Sequence, residues 1–340
     1  MIYETIIIGS GPAGLTASIY ASRYKIRHLV LGGQLGGTMA LIPQIENYPG
    51  FKSISGMELT QRMVEQAKEL GGEIKVEEVV KISKKQDFFE IQTEKETYQT
   101  KTIILATGTQ RRQLGVPGEK QYLGKGVSYC STCDAAFFKD KTVAVVGGAN
   151  AAVMAAVHLA GFAQKVYLIY RRKPLRAEPI WRERAENNPK IEIIYETNIL
   201  RIFGKEKAEK EIRNPKLEIR NKSQIPNSPA ERDPASRDKF QTEGVGGVKL
   251  DKEYKGGKIL PVDGVFIEIG GVPTTELIRP LGVEIDDKGF VKVNVEMATN
   301  IPGIFAAGDI TDAAGEFQQI VIAIAQGARA VLSVFKYLNG

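Results

Sequence analysis

The chain has 340 residues, 43% hydrophobic and 25% charged, a composition typical of a folded globular protein with room for two domains. Its 46 basic residues are interspersed with 40 acidic ones, which favours an ordinary solvated surface and argues against nucleic-acid binding. Two cysteines are too few for a disulfide framework and favour a reducing, cytoplasmic location. No apolar stretch is expected to reach the roughly 18–20 residues of a membrane span, so no membrane association is predicted.

The N-terminus predicts a strand, a glycine-rich turn and a helix. Residues 5–8 form an apolar run typical of a buried parallel strand, and the helical pattern LTASIYASRY follows the turn. In this context GxGxxG indicates dinucleotide binding, because its glycines permit a tight turn, the approach of a pyrophosphate and close helix–strand packing. The candidate residues are Gly9, Ser10, Gly11, Pro12, Ala13 and Gly14. A cleaved signal peptide would destroy this motif, so none is expected.

Two further predicted strands end in candidate binding residues. The second predicted strand, residues 27–31, ends in Gly32, a further candidate, without the acid that would hold a ribose hydroxyl. A later strand ends in Ala106, Thr107 and Gly108 and passes into a hinge rich in glycine and proline.

Both cysteines lie just beyond this hinge. Cys130 and Cys133 are two residues apart, and Asp134 follows directly. Taken alone, this spacing fits half of a metal site, an incidental structural pair or a redox-active dithiol. The histidines, His28 and His158, have no paired spacing, so a metal site is not predicted.

A second copy of the nucleotide-binding pattern begins near residue 141. Ala149 replaces the glycine that lets phosphate approach most closely, and arginines follow the next strand. These arginines favour a 2′-phosphate and hence NADPH, with a solvated basic turn as the alternative. The candidate residues are Gly147, Gly148, Asn150, Ala151, Arg171, Arg172 and Arg176. Two dinucleotide units beside CxxC favour the redox-active dithiol, because two bound nucleotides can exchange electrons.

The remaining segments differ in character. Residues from about 204 to 243 are polar and rich in Pro, Asn and Ser, which predicts a disordered or solvent-exposed loop insertion. A strand then ends at Gly308 and Asp309, where the acid is well placed for a ribitol hydroxyl. The last predicted helix, residues 317–338, begins near Gln318, Gln319 and Ile320. Its N-terminus is a candidate to face a flavin ring, and core packing is the alternative reading of its apolar residues.

In its motifs the chain resembles the low-molecular-weight thioredoxin reductases, within the two-dinucleotide-domain flavoproteins. The matching segments, in the same order along nearly the whole chain, are GSGPAG (9–14), GGTMALIPQIENYPGF (36–51), ATG (106–108), CSTCD (130–134), VAVVGG (143–148), YRRKPLR (170–176) and AAGDITD (306–312). The resemblance implies an α/β fold with two Rossmann-like, three-layer ββα domains, the first split in sequence by the second. It implies an FAD-binding domain at 1–114 plus 266–340 and an NAD(P)H-binding domain with the CxxC at 115–265.

The same resemblance implies binding residues and partners. It adds Gly36, Gly37, Thr38 and Asn47 to the FAD residues, together with the candidates at 106–108, 308–309 and 318–320. It implies a homodimer that passes electrons from NADPH through FAD to the Cys130–Cys133 disulfide and on to thioredoxin or a similar dithiol protein, with Asp134 as proton shuttle. Three further functions fit the same residues: a ferredoxin-dependent flavin thioredoxin reductase, a dithiol oxidase of the same fold, and a non-enzymatic redox-sensing flavoprotein.

Overall fold

Runs of Val, Ile and Leu that are buried on both faces form the central strands. Ile6, Ile7 and Ile8 are each at most 3% exposed, as expected of parallel strands covered by helices. The computed structural model describes residues 2–206, 208, 244–315 and 317–340. The insertion predicted at about 204–243 lies almost entirely at 207 and 209–243, outside the described residues.

The elements of the described residues are as follows. The strands are β1 (Ile2–Ile8), β2 (His28–Leu31), β3 (Glu73–Lys75), β4 (Val79–Lys84), β5 (Phe89–Thr93), β6 (Thr97–Leu105), β7 (Thr109–Arg111), β8 (Val127–Ser128), β9 (Thr142–Val146), β10 (Lys165–Tyr170), β11 (Ile191–Tyr195), β12 (Ile199–Gly204), β13 (Val245–Tyr254), β14 (Gly257–Leu260), β15 (Gly264–Ile267), β16 (Gly271–Pro273) and β17 (Ile304–Ala306). The helices are α1 (Pro12–Arg23), α2 (Gly56–Glu69), α3 (Ser131–Asp134), α4 (Asn150–Ala160), α5 (Pro179–Glu186) and α6 (Ile320–Asn339).

The chain divides into two compact units. Unit 1 comprises Met1–Gln110 and Gly271–Gly340, and unit 2 comprises Arg111–Gly270, so the second is inserted in the sequence of the first. The two connecting segments pair with each other as β7 and β16.

Unit 1 is built on a mixed sheet. Strands β3, β2, β1 and β6 lie side by side in parallel. The first half of β6 pairs with β5 in an antiparallel ladder that continues to β4, whereas its second half pairs in parallel with β17. Helices α1 and α6 approach each other closely, since a Cβ added to Gly327 would lie 2.2 Å from the carbonyl oxygen of Ala13.

Unit 2 repeats this plan. Its parallel sheet has the order β11-β10-β9-β15-β8, and a separate antiparallel sheet is formed by β12, β13 and β14. The neighbours of β9 correspond to those of β1, with β10 in the place of β2 and β15 in the place of β6. The predicted α/β class with two Rossmann-like dinucleotide-binding domains is confirmed.

One expectation about apolar segments is wrong. Helix α6 has 20 residues and a mean hydropathy of 1.4 over its most apolar stretch, which by length and composition is enough to cross a membrane. Seven of its residues are buried, including Gln326 and Gly327, and it packs closely against α1. The sequence expectation failed because small and aliphatic residues that pack on a neighbouring helix raise the hydropathy as lipid-facing ones do.

Candidate functional site

The three glycines of the glycine-rich turn in unit 1 have different structural roles. Gly9 has φ +113°, and a Cβ there would lie 2.1 Å from the carbonyl oxygen of Ala106. A Cβ on Gly14 would lie 1.9 Å from the carbonyl oxygen of Gly9, so this glycine permits close helix–strand packing. In the part of the chain that the structure describes, a Cβ on Gly11 would meet no atom nearer than 3.9 Å. Gly11 is therefore not required by the packing of the protein itself and leaves open the approach that a pyrophosphate would use.

The segment after β2 closes over this turn. The backbone N–H of Gly36 donates to the carbonyl oxygen of Ser10 at 2.8 Å, and the Ser10 hydroxyl donates to the carbonyl oxygen of Gln34 at 2.9 Å. A Cβ on Gly32 would lie 2.4 Å from Ser10 Oγ. The structure thus brings Gly32, Gly36 and Gly37 to the turn that follows β1. Thr38, next along the chain, is exposed.

Two polar side chains of unit 1 are left without partners at the carboxyl ends of strands. Thr107 Oγ1 is buried and finds no hydrogen-bond partner among the described residues. Asp309 follows β17, and among the described residues no group donates to its carboxylate. Burial raises the pKa of Asp309 from 3.8 to about 6. A ligand with hydroxyl groups would supply the donors that this carboxylate lacks.

Gln326 of α6 was not predicted from the sequence. Its side-chain oxygen accepts hydrogen bonds from the Gly308 N–H at 2.7 Å and from the Thr311 hydroxyl at 3.2 Å. Gln326 is 8% exposed, so from a buried position it holds in place the turn that carries Asp309. A glutamine in an apolar helical pattern is the signal that could have revealed it.

Among the described residues, no side chain caps the helices that begin at the candidate sites. Helices α1, α4 and α6 start at Gly11, Ala149 and Gln319 without a side-chain cap, whereas the Ser55 hydroxyl accepts from the first turn of α2 at 3.2 Å. Uncapped first turns keep N–H groups available for an anion. The Asn47 amide donates to Gln319 Oε1 at 2.9 Å, which joins two predicted FAD segments.

Taken together, the residues of unit 1 fit FAD. Gly11 leaves space for the pyrophosphate, Thr107 offers an unpaired hydroxyl, and Asp309 offers an unpaired acceptor. Gln318, Gln319 and Ile320 lie partly buried at the start of α6. These residues are brought together by the parallel order of β1, β6 and β17, whose carboxyl ends meet at one edge of the sheet.

The corresponding turn in unit 2 also makes close contacts. Gly147 has φ +142°, and a Cβ there would lie 2.2 Å from the carbonyl oxygen of Glu268. A Cβ on Gly148 would lie 2.3 Å from the ring of Tyr170, so the end of β10 packs directly on the turn. Ala149 is partly exposed at the start of α4, and Ala151 is exposed.

The predicted arginines stand on a loop that is tied to this turn. The Arg176 N–H donates to the carbonyl oxygen of Gly148 at 2.7 Å. Asn150 and Glu178 bond reciprocally: the Asn150 amide donates to Glu178 Oε1 at 3.0 Å, and the Glu178 N–H donates to Asn150 Oδ1 at 2.8 Å. Arg171, Arg172 and Arg176 are exposed, and within the described ranges no carboxylate pairs with them. Three unpaired cations beside a dinucleotide turn fit the 2′-phosphate of NADPH.

The two cysteines form a disulfide in unit 2, with Cα atoms 5.4 Å apart. Cys130 precedes α3 and is half-buried, and its sulfur accepts the Cys133 N–H at 3.1 Å. Cys133 is exposed, and Asp134 is partly buried at the end of the same helix. The described part of the chain holds no cluster of three or more His, Cys, Asp or Glu that could bind a metal.

A buried carboxylate that the sequence analysis missed supports the disulfide. Glu119 is 2% exposed and accepts the backbone N–H groups of Leu114 and Gly115 at 2.7 and 2.6 Å. The Tyr129 hydroxyl also donates to it, and burial together with this bond raises the pKa of Tyr129 far above its usual value. Glu119 thus holds the residue that precedes Cys130 against the first segment of unit 2.

Comparison with known proteins gives concordant results. The family model described as pyridine nucleotide-disulphide oxidoreductase matches residues 3–227 and 233–327. A thioredoxin reductase from Listeria monocytogenes is 37% identical over 99% of this chain and 94% of its own length. Solved thioredoxin reductases from Lactococcus lactis and T. acidophilum are 34% and 32% identical, with TM-scores of 0.84 over 99% of both chains. The predicted resemblance is confirmed.

Proposed function

The chain belongs to the pyridine nucleotide-disulphide oxidoreductase family, and on that premise we propose that it is a thioredoxin reductase. It passes electrons from NADPH through FAD to the Cys130–Cys133 disulfide and on to thioredoxin or a thioredoxin-like protein. The observation that carries this proposal is the disulfide itself, which is exposed at Cys133 in a chain that carries two dinucleotide-binding units. The glycine-rich turns of these units provide for two nucleotides, and the disulfide provides the exit for two electrons.

The domains are assigned accordingly. Unit 1 binds FAD through its glycine-rich turn, Thr107 and Asp309, and unit 2 binds NADPH through its turn and the three arginines. FAD bound by these residues would supply the two-electron chemistry that links NADPH to the disulfide. A homodimer and a cytoplasmic location are part of the proposal, and sedimentation of the purified protein tests the first.

Three side chains carry out the chemistry at the dithiol, those of Cys130, Cys133 and Asp134. Reduction breaks the S–S bond with two electrons and two protons and leaves two thiols. The Cys133 N–H, which points to Cys130 Sγ at 3.1 Å, stabilises negative charge on that sulfur. Asp134 serves as general acid and base for the departing thiolate. One thiolate then attacks the disulfide of the partner, and the second resolves the mixed disulfide, so the Cys130–Cys133 bond forms again.

An anaerobic titration of the purified yellow protein tests the proposal. NADPH is expected to bleach the flavin, and added thioredoxin disulfide is expected to restore its colour. NADH and reduced ferredoxin are titrated in parallel. Bleaching by ferredoxin and not by NADPH would overturn the assignment of the donor and favour the ferredoxin-dependent reductase.

A dithiol oxidase and a redox-sensing flavoprotein would each respond differently to these additions. The oxidase would consume oxygen with a dithiol substrate and leave NADPH untouched. The redox sensor would bind FAD and titrate its thiols without turning over thioredoxin. Failure of all three donors to reduce the flavin would overturn the reductase function.

A further inference from the structure

An ion pair between the partly exposed Arg111 and the buried Glu268 lies at the carboxyl end of β15 in unit 2. Glu268 directly follows β15 and is 5% exposed, and Arg111, 157 residues earlier in the chain, donates to its carboxylate. The Arg111 side chain is 30% exposed. The described residues provide no other donor to this carboxylate. An ionised carboxylate has about four lone-pair positions, so Glu268 keeps unused acceptor capacity.

The internal repeat shows how Glu268 relates to the glycine-rich turn. β15 pairs with β9 as β6 pairs with β1. A Cβ on Gly9 would lie 2.1 Å from the carbonyl oxygen of Ala106, and a Cβ on Gly147 would lie 2.2 Å from that of Glu268. Glu268 therefore occupies in unit 2 the position that Ala106 occupies in unit 1. A charged residue has been placed where the first unit has a methyl group.

The strand order indicates which half of a dinucleotide Glu268 would meet. In such sheets the nucleotide lies across the carboxyl ends of the strands where the order reverses, with its pyrophosphate at the first helix. In unit 2 this point is β9, flanked by β10 and β15. The three arginines follow β10 and select the 2′-phosphate of the adenosine half. The other half extends over β15, where Glu268 lies.

A buried carboxylate with too few hydrogen-bond donors is unfavourable in its charged form. Burial raises the pKa of Glu268 to about 7, and the opposing effect of Arg111 is too small to offset this rise. Further donors to the carboxylate would stabilise its charged form. The nicotinamide half of the nucleotide carries such donors on its ribose.

We propose that Glu268, held in place by Arg111, binds the ribose hydroxyl groups of the nicotinamide half of NADP(H). Arg111 fixes one side of the carboxylate and the ribose occupies the other. This inference rests on the proposed use of NADPH, and it assigns to the Arg111–Glu268 pair the nicotinamide end of a site whose adenosine end is built from arginines.

Equilibrium binding to the oxidised holoprotein tests this assignment without turnover. The affinities of NADP⁺ and of adenosine 2′,5′-bisphosphate, which lacks the nicotinamide half, are measured by calorimetry for the wild type and for Glu268→Gln. The substitution is expected to weaken NADP⁺ roughly tenfold, as for a lost hydrogen bond to a charged group, and to leave the bisphosphate unchanged. The double variant Arg111→Met with Glu268→Met is expected to act in the same way without leaving a buried unpaired charge.

Glu192→Gln is the matched control, because Glu192 also forms an ion pair within unit 2, with Lys165 at 2.9 Å, but on β11. It is expected to change neither affinity. Equal loss of both ligands in the Glu268 variants, or no loss of NADP⁺, would overturn the inference while the proposed function stands. Failure of the wild type to bind either ligand would instead contradict the proposed use of NADPH.

Discussion

Asp309 shows how a single buried side chain is prepared for a ligand. Its pKa is raised from 3.8 to about 6 because burial disfavours the carboxylate. Between these two pH values the folded protein binds more protons at this position than the unfolded chain does. In the FAD-free protein, this group therefore contributes to the free energy of unfolding fully below pH 3.8. That contribution is lost as the pH rises through about 6. Ligand hydroxyls that donate to the carboxylate reverse the penalty.

We expect the affinity for FAD to depend on pH through Asp309. Since the ribitol favours the ionised carboxylate, affinity should fall about tenfold from pH 7 to pH 5, where the group is protonated in the free protein. Asp309→Asn should bind FAD more weakly at pH 7 and show little change over this range. Quenching of flavin fluorescence on titration of the apoprotein measures both. Parallel pH profiles for the wild type and the variant would contradict the prediction.

At the scale of elements, hydrogen bonds hold in place the loop that carries the three arginines and that is proposed to bind the 2′-phosphate. Asn150 begins α4 and Glu178 precedes α5, so their two reciprocal hydrogen bonds join the starts of both helices. A third tie runs from the Arg176 N–H to the carbonyl oxygen of Gly148. Because the loop is fixed before the nucleotide binds, little ordering entropy is spent on placing the cations.

Glu178→Ala is expected to raise the KM for NADPH roughly tenfold with kcat little changed, because one charge-assisted hydrogen bond and the order of the loop are lost. The preference for NADPH over NADH should narrow, since the loosened arginines are the groups proposed to recognise the 2′-phosphate. Glu183→Ala removes the same charge from an exposed position of α5 and serves as control. A fall in kcat with an unchanged KM ratio between the two nucleotides would refute this role.

The local units were predictable because each is encoded by adjacent residues. The strand of β1, the turn with Gly9 and the start of α1 follow one another, and the second turn with Ala149 repeats the pattern. The pairs Arg111–Glu268 and Glu119–Tyr129 could not be predicted in this way, since hydrogen bonds between side chains 157 and 10 residues apart leave no periodic signal in the sequence. The one local hint is Glu268, a carboxylate within the apolar run of residues 265–269.

At the scale of the whole molecule, one architecture serves two different nucleotides. The sheets share the order of strands around β1 and β9, and the differences lie at matched positions. Gly11 corresponds to Ala149, and Ala106 corresponds to Glu268. Repetition of the scaffold thus provides two nucleotide sites, whereas their separate chemistry comes from a few side chains on the turns and strand ends.

In the proposed reaction the dithiol carries electrons from the flavin to the partner protein. Its removal should therefore separate flavin reduction from thioredoxin reduction. In the double variant Cys130→Ser with Cys133→Ser, NADPH should still bleach the flavin, because the nucleotide sites do not include the sulfurs. Thioredoxin reduction should fall to the uncatalysed level, since no disulfide remains to accept electrons.

Asp134→Asn should keep flavin reduction and slow dithiol exchange by about a hundredfold or more, the usual contribution of a general acid. Stopped-flow absorbance of the flavin and a steady-state thioredoxin assay measure the two halves independently. Continued thioredoxin reduction by the double variant would show that electrons leave by another route and would refute the path through Cys130 and Cys133.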